Sequence, residues 1–138
     1  MRGLKNIRLP AYDYRSNGYY FVTIVTKQRQ KILEQPIERM MRDAIEAMRG
    51  VAIDTMVIMP DHIHLILVLN GCSLPLGEII RRMKATISHA MRQPLWQPNY
   101  YEHVIRDEDA LNRIREYIIN NPDREISKFE QFYHQAGR

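Results

Sequence analysis

The sequence predicts an α+β fold, with one four-stranded antiparallel sheet packed by helices. Three observations lead there. Runs of β-branched and aromatic residues alternate with helical-period stretches in the order strand, helix, strand, strand, helix, strand, helix. Two of the strands are separated by only two residues, which makes them an antiparallel hairpin. No repeat and no linker-like stretch interrupts the 138 residues, so residues 1–138 read as one domain with a core of about 19–124 and a short tail, 125–138.

Each element has its own warrant. Tyr19 to Lys27 is aromatic and β-branched and reads as a strand. From Pro36 the period changes: Ile37, Met40, Met41, Ala44, Ile45 and Met48 recur at helical spacing, and Gly50 ends the run. Val51 to Met59 and His62 to Leu69 are the hairpin strands around Pro60-Asp61, closed by Asn70-Gly71. Leu76, Ile79, Ile80, Met83, Ile87, Ala90 and Met91 form the apolar face of a second helix, and Arg81, Arg82, Lys84, Ser88 and Arg92 its polar side. A proline-bracketed loop (94–99) leads to a strand over Tyr100 to Arg106. Asp107 can cap a third helix with an acidic first turn, a stripe of Leu111, Ile114 and Ile118, and a stop at Pro122. The first six elements match the ferredoxin-like, or RRM-like, βαββαβ arrangement, whose sheet keeps one face open unless the third helix covers it.

Composition narrows the class. Hydrophobic residues are 45% and charged residues 26%, which excludes disorder and low-complexity readings. The longest apolar run, Leu65 to Leu69, falls far short of the ~18 residues of a spanning helix, and no apolar segment follows the basic N-terminus as in a signal peptide. The single Cys72 excludes an internal disulfide and a cysteine-rich zinc site, so a cytosolic protein is the simplest expectation. The net charge of +4 is concentrated in residues 1–35 and 76–106. Two basic blocks suit a polyanion, nucleic acid first, although a mildly basic surface without a partner has the same composition.

Two clusters could do chemistry. In His62-Ile63-His64 the alternation of a strand sends both imidazoles to one face and Ile63 to the core, so the pair can offer two nitrogens to a metal ion; a pair simply hydrogen-bonded at a strand edge has the same spacing. Tyr117 and Asn121 lie four apart near the end of the third helix, about 5–6 Å apart on one face. Asn121 could complete a metal site through oxygen and Tyr117 could be a nucleophile beside it, against the plainer reading of a core tyrosine and a helix-end asparagine. Arg81, Arg82, Lys84 and Arg92 are candidates for phosphate contact, and Trp96 and Tyr100 for stacking on unpaired bases. His89, His103, His134 and Cys72 carry no assigned role.

MPDHIHLIL (59–67), WQPNYYEHVIRDEDAL (96–111) and EYIINNPDRE (116–125) together resemble the single-tyrosine HUH transposases, and most closely the REP-associated tyrosine transposases. The resemblance extends from the Tyr19 strand to about Arg124. It implies a ferredoxin-like core, HUH histidines at His62 and His64, a catalytic tyrosine at Tyr117 and a third metal ligand at Asn121. The mobile-element branch usually has Gln at that third position, whereas Asn followed by Pro122 is similar to the REP-associated branch. A tail of only Glu125 to Arg138 follows the motif, shorter than in some relatives.

What the resemblance implies is a metal-dependent endonuclease and strand transferase. With Mg²⁺ or Mn²⁺ as cofactor, it would cut single-stranded or hairpin DNA of REP-like palindromes through a 5′-phosphotyrosine intermediate. It would be a bacterial, cytoplasmic, nucleoid-associated protein with no membrane partner, working as a monomer or homodimer. Two other readings fit parts of the sequence: a non-catalytic RRM-like nucleic-acid binder, and a metal-dependent nuclease in which water attacks.

Overall fold

The computed structural model describes residues 17–34 and 36–120. Strand β1 (Gly18–Val25), helix α1 (Pro36–Glu46), the hairpin strands β2 (Val51–Met59) and β3 (His62–Leu69), helix α2 (Leu76–Met91), strand β4 (Tyr101–Ile105) and helix α3 (Glu108–Asn120) follow in the expected order. The sheet order is β2-β3-β1-β4, with antiparallel pairing throughout. This is the βαββαβ topology, with β3 and β1 in the centre.

The first strand ends two residues earlier than expected. The Thr26 N–H leaves the ladder for the Asp61 carbonyl, and its hydroxyl donates to the carbonyls of Gln30 and Asp61. The chain then winds into a 3-10 turn, Lys27–Arg29, in which Gln28 and Arg29 both take the left-handed conformation (φ 56° and 54°). The third helix starts as its sequence indicates, since Asp107 Oδ1 accepts the Ala110 N–H at 2.8 Å.

Alternation divides the central strands between two cores. Tyr20, Val22 and Ile24 of β1 and Ile63, Leu65 and Leu67 of β3 face α1 and α2, where they meet Ile37, Met41, Ile45, Ile79, Ile80, Met83 and Ile87. The intervening residues Phe21, Val25 and Ile66, joined by Tyr101 and Ile105 of β4, meet Leu111, Ile114 and Ile118 of α3. The third helix therefore covers the face that a six-element sheet would leave open. Burial on both sides is also why these strands read as almost unbroken apolar runs.

The edge strand β2 has an irregularity that alternation alone does not predict. Ile53 pairs with Leu67 and Thr55 with Ile66, so Asp54 is an extra residue in a bulge. Beyond it the phase is reset. Met56 and Ile58 join the α1/α2 core, while Val57 turns to the α3 side.

Ile63 is fully buried between sheet and helices. Ile63→Ala is expected to destabilise the fold by about 2–5 kcal/mol in denaturant unfolding. Asp107→Ala, which removes only a cap, should cost about 1 kcal/mol in the same measurement.

Candidate active site

The register of β3 fixes where the two histidines point. His62 pairs with Val25 and Met59, and His64 with Thr23 and Val57, so both rings rise on the α3 side while Ile63 goes down into the other core. Their ring centroids are 4.5 Å apart with the planes at 62°. His64 is fully buried and His62 is 4% exposed.

Each ring is held through Nδ1. Asp61 Oδ1 lies 2.7 Å from His62 Nδ1, and an ionised carboxylate can only accept, so this nitrogen carries the proton. His64 Nδ1 lies 3.0 Å from the Thr23 hydroxyl on the neighbouring strand. His62 thus keeps Nε2 as its lone-pair nitrogen, and His64 does the same when its Nδ1–H donates to the Thr23 hydroxyl. That is the tautomer and the outer support of a metal-ligating histidine. Asp61 is itself held by Arg29, whose Nε and Nη2 lie 3.2 and 3.1 Å from Oδ2. Burial raises the Asp61 carboxyl, but the His62 hydrogen bond and the Arg29 charge together outweigh it and keep it below the ordinary value of 3.8. The two left-handed residues of the 3-10 turn thus aim Arg29 at the residue that orients His62.

Tyr117 is half-buried on α3 and packs against the core formed with Phe21 and Ile66, on the same face of the sheet as the histidines. The Phe21 ring lies 6.1 Å from that of His64. Asn121 lies outside the described residues. Among the described residues, no group of three His, Cys, Asp or Glu side chains comes together as a metal site. The donor set on view is therefore the histidine pair, which fits two ligands of a site completed from elsewhere.

The helix that bears Tyr117 is tied to the sheet by a polar clamp. Arg115 Nε and Nη2 donate to Asp54 Oδ2 and Oδ1 at 2.9 and 2.6 Å, a two-pronged pairing. Thr55 donates to the same carboxylate at 2.7 Å, and Arg115 Nη1 reaches Asn112 Oδ1 at 3.0 Å. The Arg115 hydrogen bonds hold the Asp54 carboxyl below 3.8, against the opposing effect of burial.

The residues considered for DNA contact belong to the other helical layer. Arg81 and Arg82 are exposed on α2, on the side of the sheet away from the histidines, and both bind Glu78, whose carboxyl is lowered to about 2 by those hydrogen bonds. Arg92 is exposed at the end of α2 in a left-handed conformation. The Lys84 ammonium gathers the carbonyls of Gln97, Pro98 and Asn99, and Trp96 Nε1 donates to the Lys84 carbonyl. Tyr100 is buried in the α1/α2 core. Lys84, Trp96 and Tyr100 thus fix the 94–100 loop to α2.

Sequence reasoning missed Asp61, Thr23 and the Asp54–Arg115 clamp. Asp61 was legible as the neighbour of His62. Thr23 is 41 residues from His64 and is brought to it only by the sheet register.

Comparisons with known proteins agree with this architecture. The family model described as IS200-like transposase matches residues 14–121, and the chain belongs to that family. It is 36% identical to an uncharacterized protein of Haemophilus influenzae over a 157-residue alignment covering 86% of this chain and 87% of that one. It is 29% identical over 113 residues to a REP-associated tyrosine transposase of Escherichia coli, with 79% of this chain and 68% of that protein covered. Among solved structures, a REP-associated tyrosine transposase bound to a REP hairpin superimposes with a TM-score of 0.69 at 27% identity, covering 86% of this chain and 73% of that one. The chain is thus a transposase-like DNA-processing protein.

The lowered Asp54 carboxyl has a consequence with a definite sign. A carboxylate with a lower pKa in the folded state contributes stability that is complete above its unfolded value, here 3.8, and is lost as pH falls through the folded value. Asp54→Asn should therefore lower the melting temperature at pH 7 and lose less of it than wild type between pH 5 and pH 2, as thermal melts across that range will show.

Proposed function

We propose that this chain is a divalent-metal-dependent endonuclease and strand transferase of single-stranded or hairpin-flanked DNA, with Tyr117 as its nucleophile. The observation that carries this reading is the histidine pair beneath a tyrosine-bearing helix, each ring fixed through Nδ1 by Asp61 or Thr23, in a chain of the IS200-like family.

His62, His64 and Asn121 would hold Mg²⁺ or Mn²⁺, which would supply Lewis-acid polarisation of the scissile phosphate and favour the phenolate. Imidazole ligands suit Mn²⁺, and Mg²⁺ is the more available ion. Asp61 fixes the tautomer of His62, and Asp61 and Thr23 together hold the two rings in one orientation. Tyr117, seated by the α3 core, attacks phosphorus: its phenol gives up a proton to solvent, a bond forms from the phenolic oxygen to the 5′-phosphate, the bond to the 3′ oxygen breaks, and that oxygen takes up a proton from solvent and leaves as a hydroxyl, so no net proton is consumed. The phosphodiester energy is kept in the tyrosyl link, so a second 3′-hydroxyl can reverse the step and rejoin strands.

A single-stranded segment is required because the nucleophile must reach an exposed backbone. The solved relative bound to a REP hairpin supports palindromic hairpin DNA as the substrate. Exposed Lys27, Arg29 and Lys31 border the His62 end of the sheet and are better placed for phosphates at the site than Arg81, Arg82 or Arg92 on the opposite layer. α3 packs on its own sheet, so one copy carries both Tyr117 and the histidines. No helix among the described residues is long and apolar enough to cross a membrane. The RRM-like binder needs an open sheet face on which bases can stack, and α3 occupies that face.

Incubation of a labelled hairpin carrying a single-stranded flank with wild type and Mn²⁺ should yield a covalent protein–DNA adduct. Tyr117→Phe should fold and bind hairpin and metal, yet form no adduct and release no cleaved strand. His64→Ala should lose Mn²⁺ binding in calorimetry. Strand cleavage by Tyr117→Phe at the wild-type rate would overturn the reading in favour of attack by water.

A further inference from the structure

The clamp between Asp54 and Arg115 is more elaborate than a helix needs in order to lie on a sheet. The apolar stripe of Leu111, Ile114 and Ile118 already buries α3 against Phe21, Val25 and Ile66. A stripe of rounded aliphatic side chains resists separation of the layers but tolerates a small roll of the helix about its own axis. A two-pronged guanidinium–carboxylate pair does not, because both N–H···O bonds require one plane and one direction.

The placement of the pair makes roll the relevant freedom. At about 100° per residue, Arg115 and Tyr117 lie about 200° apart, on opposite flanks of the buried stripe. Pinning one flank therefore sets the angle at which the other presents its phenol. The β2 bulge places Asp54 opposite Arg115, and bulges commonly re-aim a side chain beside a functional site. Thr55 and Asn112 hold the two partners from behind, so the carboxylate and the guanidinium are both oriented before they meet.

We infer that Asp54 and Arg115 are positioning residues for the strand-cleavage step, fixing the roll of α3 and thereby the placement of the Tyr117 oxygen over the histidine pair. The inference rests on the reading of Tyr117 as nucleophile. Neither residue touches DNA or metal in this role. Misplacement of a reacting atom by about 1 Å can cost on the order of a hundredfold in rate.

The test compares wild type, Asp54→Ala, Arg115→Ala, Arg115→Lys and the double Ala variant. The measurements are the rate of adduct formation on a saturating hairpin substrate, Mn²⁺ affinity by calorimetry, and hydrogen exchange resolved by element. Each single Ala variant should slow adduct formation by about tenfold or more and weaken Mn²⁺ binding by less than His64→Ala does, because Asn121 follows Tyr117 by four residues while the histidine pair stays in place, with sheet amides protected as in wild type. Arg115→Lys, which keeps the charge and loses the fork, should fall between. The double variant should be no slower than the slower single, because both substitutions break the same link. Unchanged adduct formation by Arg115→Ala, alongside an active wild type and an inactive Tyr117→Phe, overturns the positioning role and leaves the nucleophile intact. Absence of any adduct from wild type overturns the nucleophile instead. With no nucleophile to place, the positioning role falls with it, and faster exchange confined to α3 amides in Arg115→Ala then shows only that the pair holds the helix.

Discussion

The two-residue period of β3 is the constraint on which the rest of the molecule depends. Ile63, Leu65 and Leu67 face one core, while His62, His64 and Ile66 face the other. A shift of register by one residue would place both imidazoles among the side chains of α1 and α2 and send Ile63 to the site. Because β3 is central and buried on both faces, neither core can be satisfied after such a shift. The packing of the hydrophobic layers therefore holds the histidines in place more firmly than any contact of their own.

That arrangement places polar rings where water is excluded, and the surrounding residues answer the cost. A buried polar group without a partner costs about 1–3 kcal/mol. Asp61 meets this demand for His62 and Thr23 for His64, one from the hairpin turn and one from the neighbouring strand. Asp61 also chooses which nitrogen of His62 is left with its lone pair, and Thr23 holds the His64 ring in its orientation. Stability and ligand geometry thus come from the same two hydrogen bonds. Arg29 extends the chain of contacts to the surface and adds its charge to the His62 hydrogen bond in holding the Asp61 carboxyl below its ordinary value.

The two helical layers divide the work. The layer of α1 and α2 supplies the larger core, and its polar residues serve that layer: Glu78 binds both Arg81 and Arg82, and Lys84 ties down the 94–100 loop. The α3 layer is thinner, and it supplements its apolar stripe with directional bonds to the bulged edge strand. A helix seated by few contacts depends more on each of them, which is why the Asp54–Arg115 pair affects Tyr117 at all.

The sequence by itself determined the order of elements, the hairpin at Pro60-Asp61, the face shared by His62 and His64, and the cap at Asp107, because each depends on residues close together in the chain. The spacing of Tyr117 and Asn121 was legible in the same way, although Asn121 lies outside the described residues. Only the tertiary structure decided what lies across from what. Thr23 meets His64 through the register of β1 on β3, α3 closes the sheet face, and the bulge at Asp54 brings a carboxylate to an arginine 61 residues away. Tyr100 and Lys84 look like surface candidates in a linear reading, and the structure buries the first and brings the second to three loop carbonyls. Periodicity specifies which face a side chain takes; its neighbours on that face are set by strand pairing and layer packing over long separations, which no local pattern encodes.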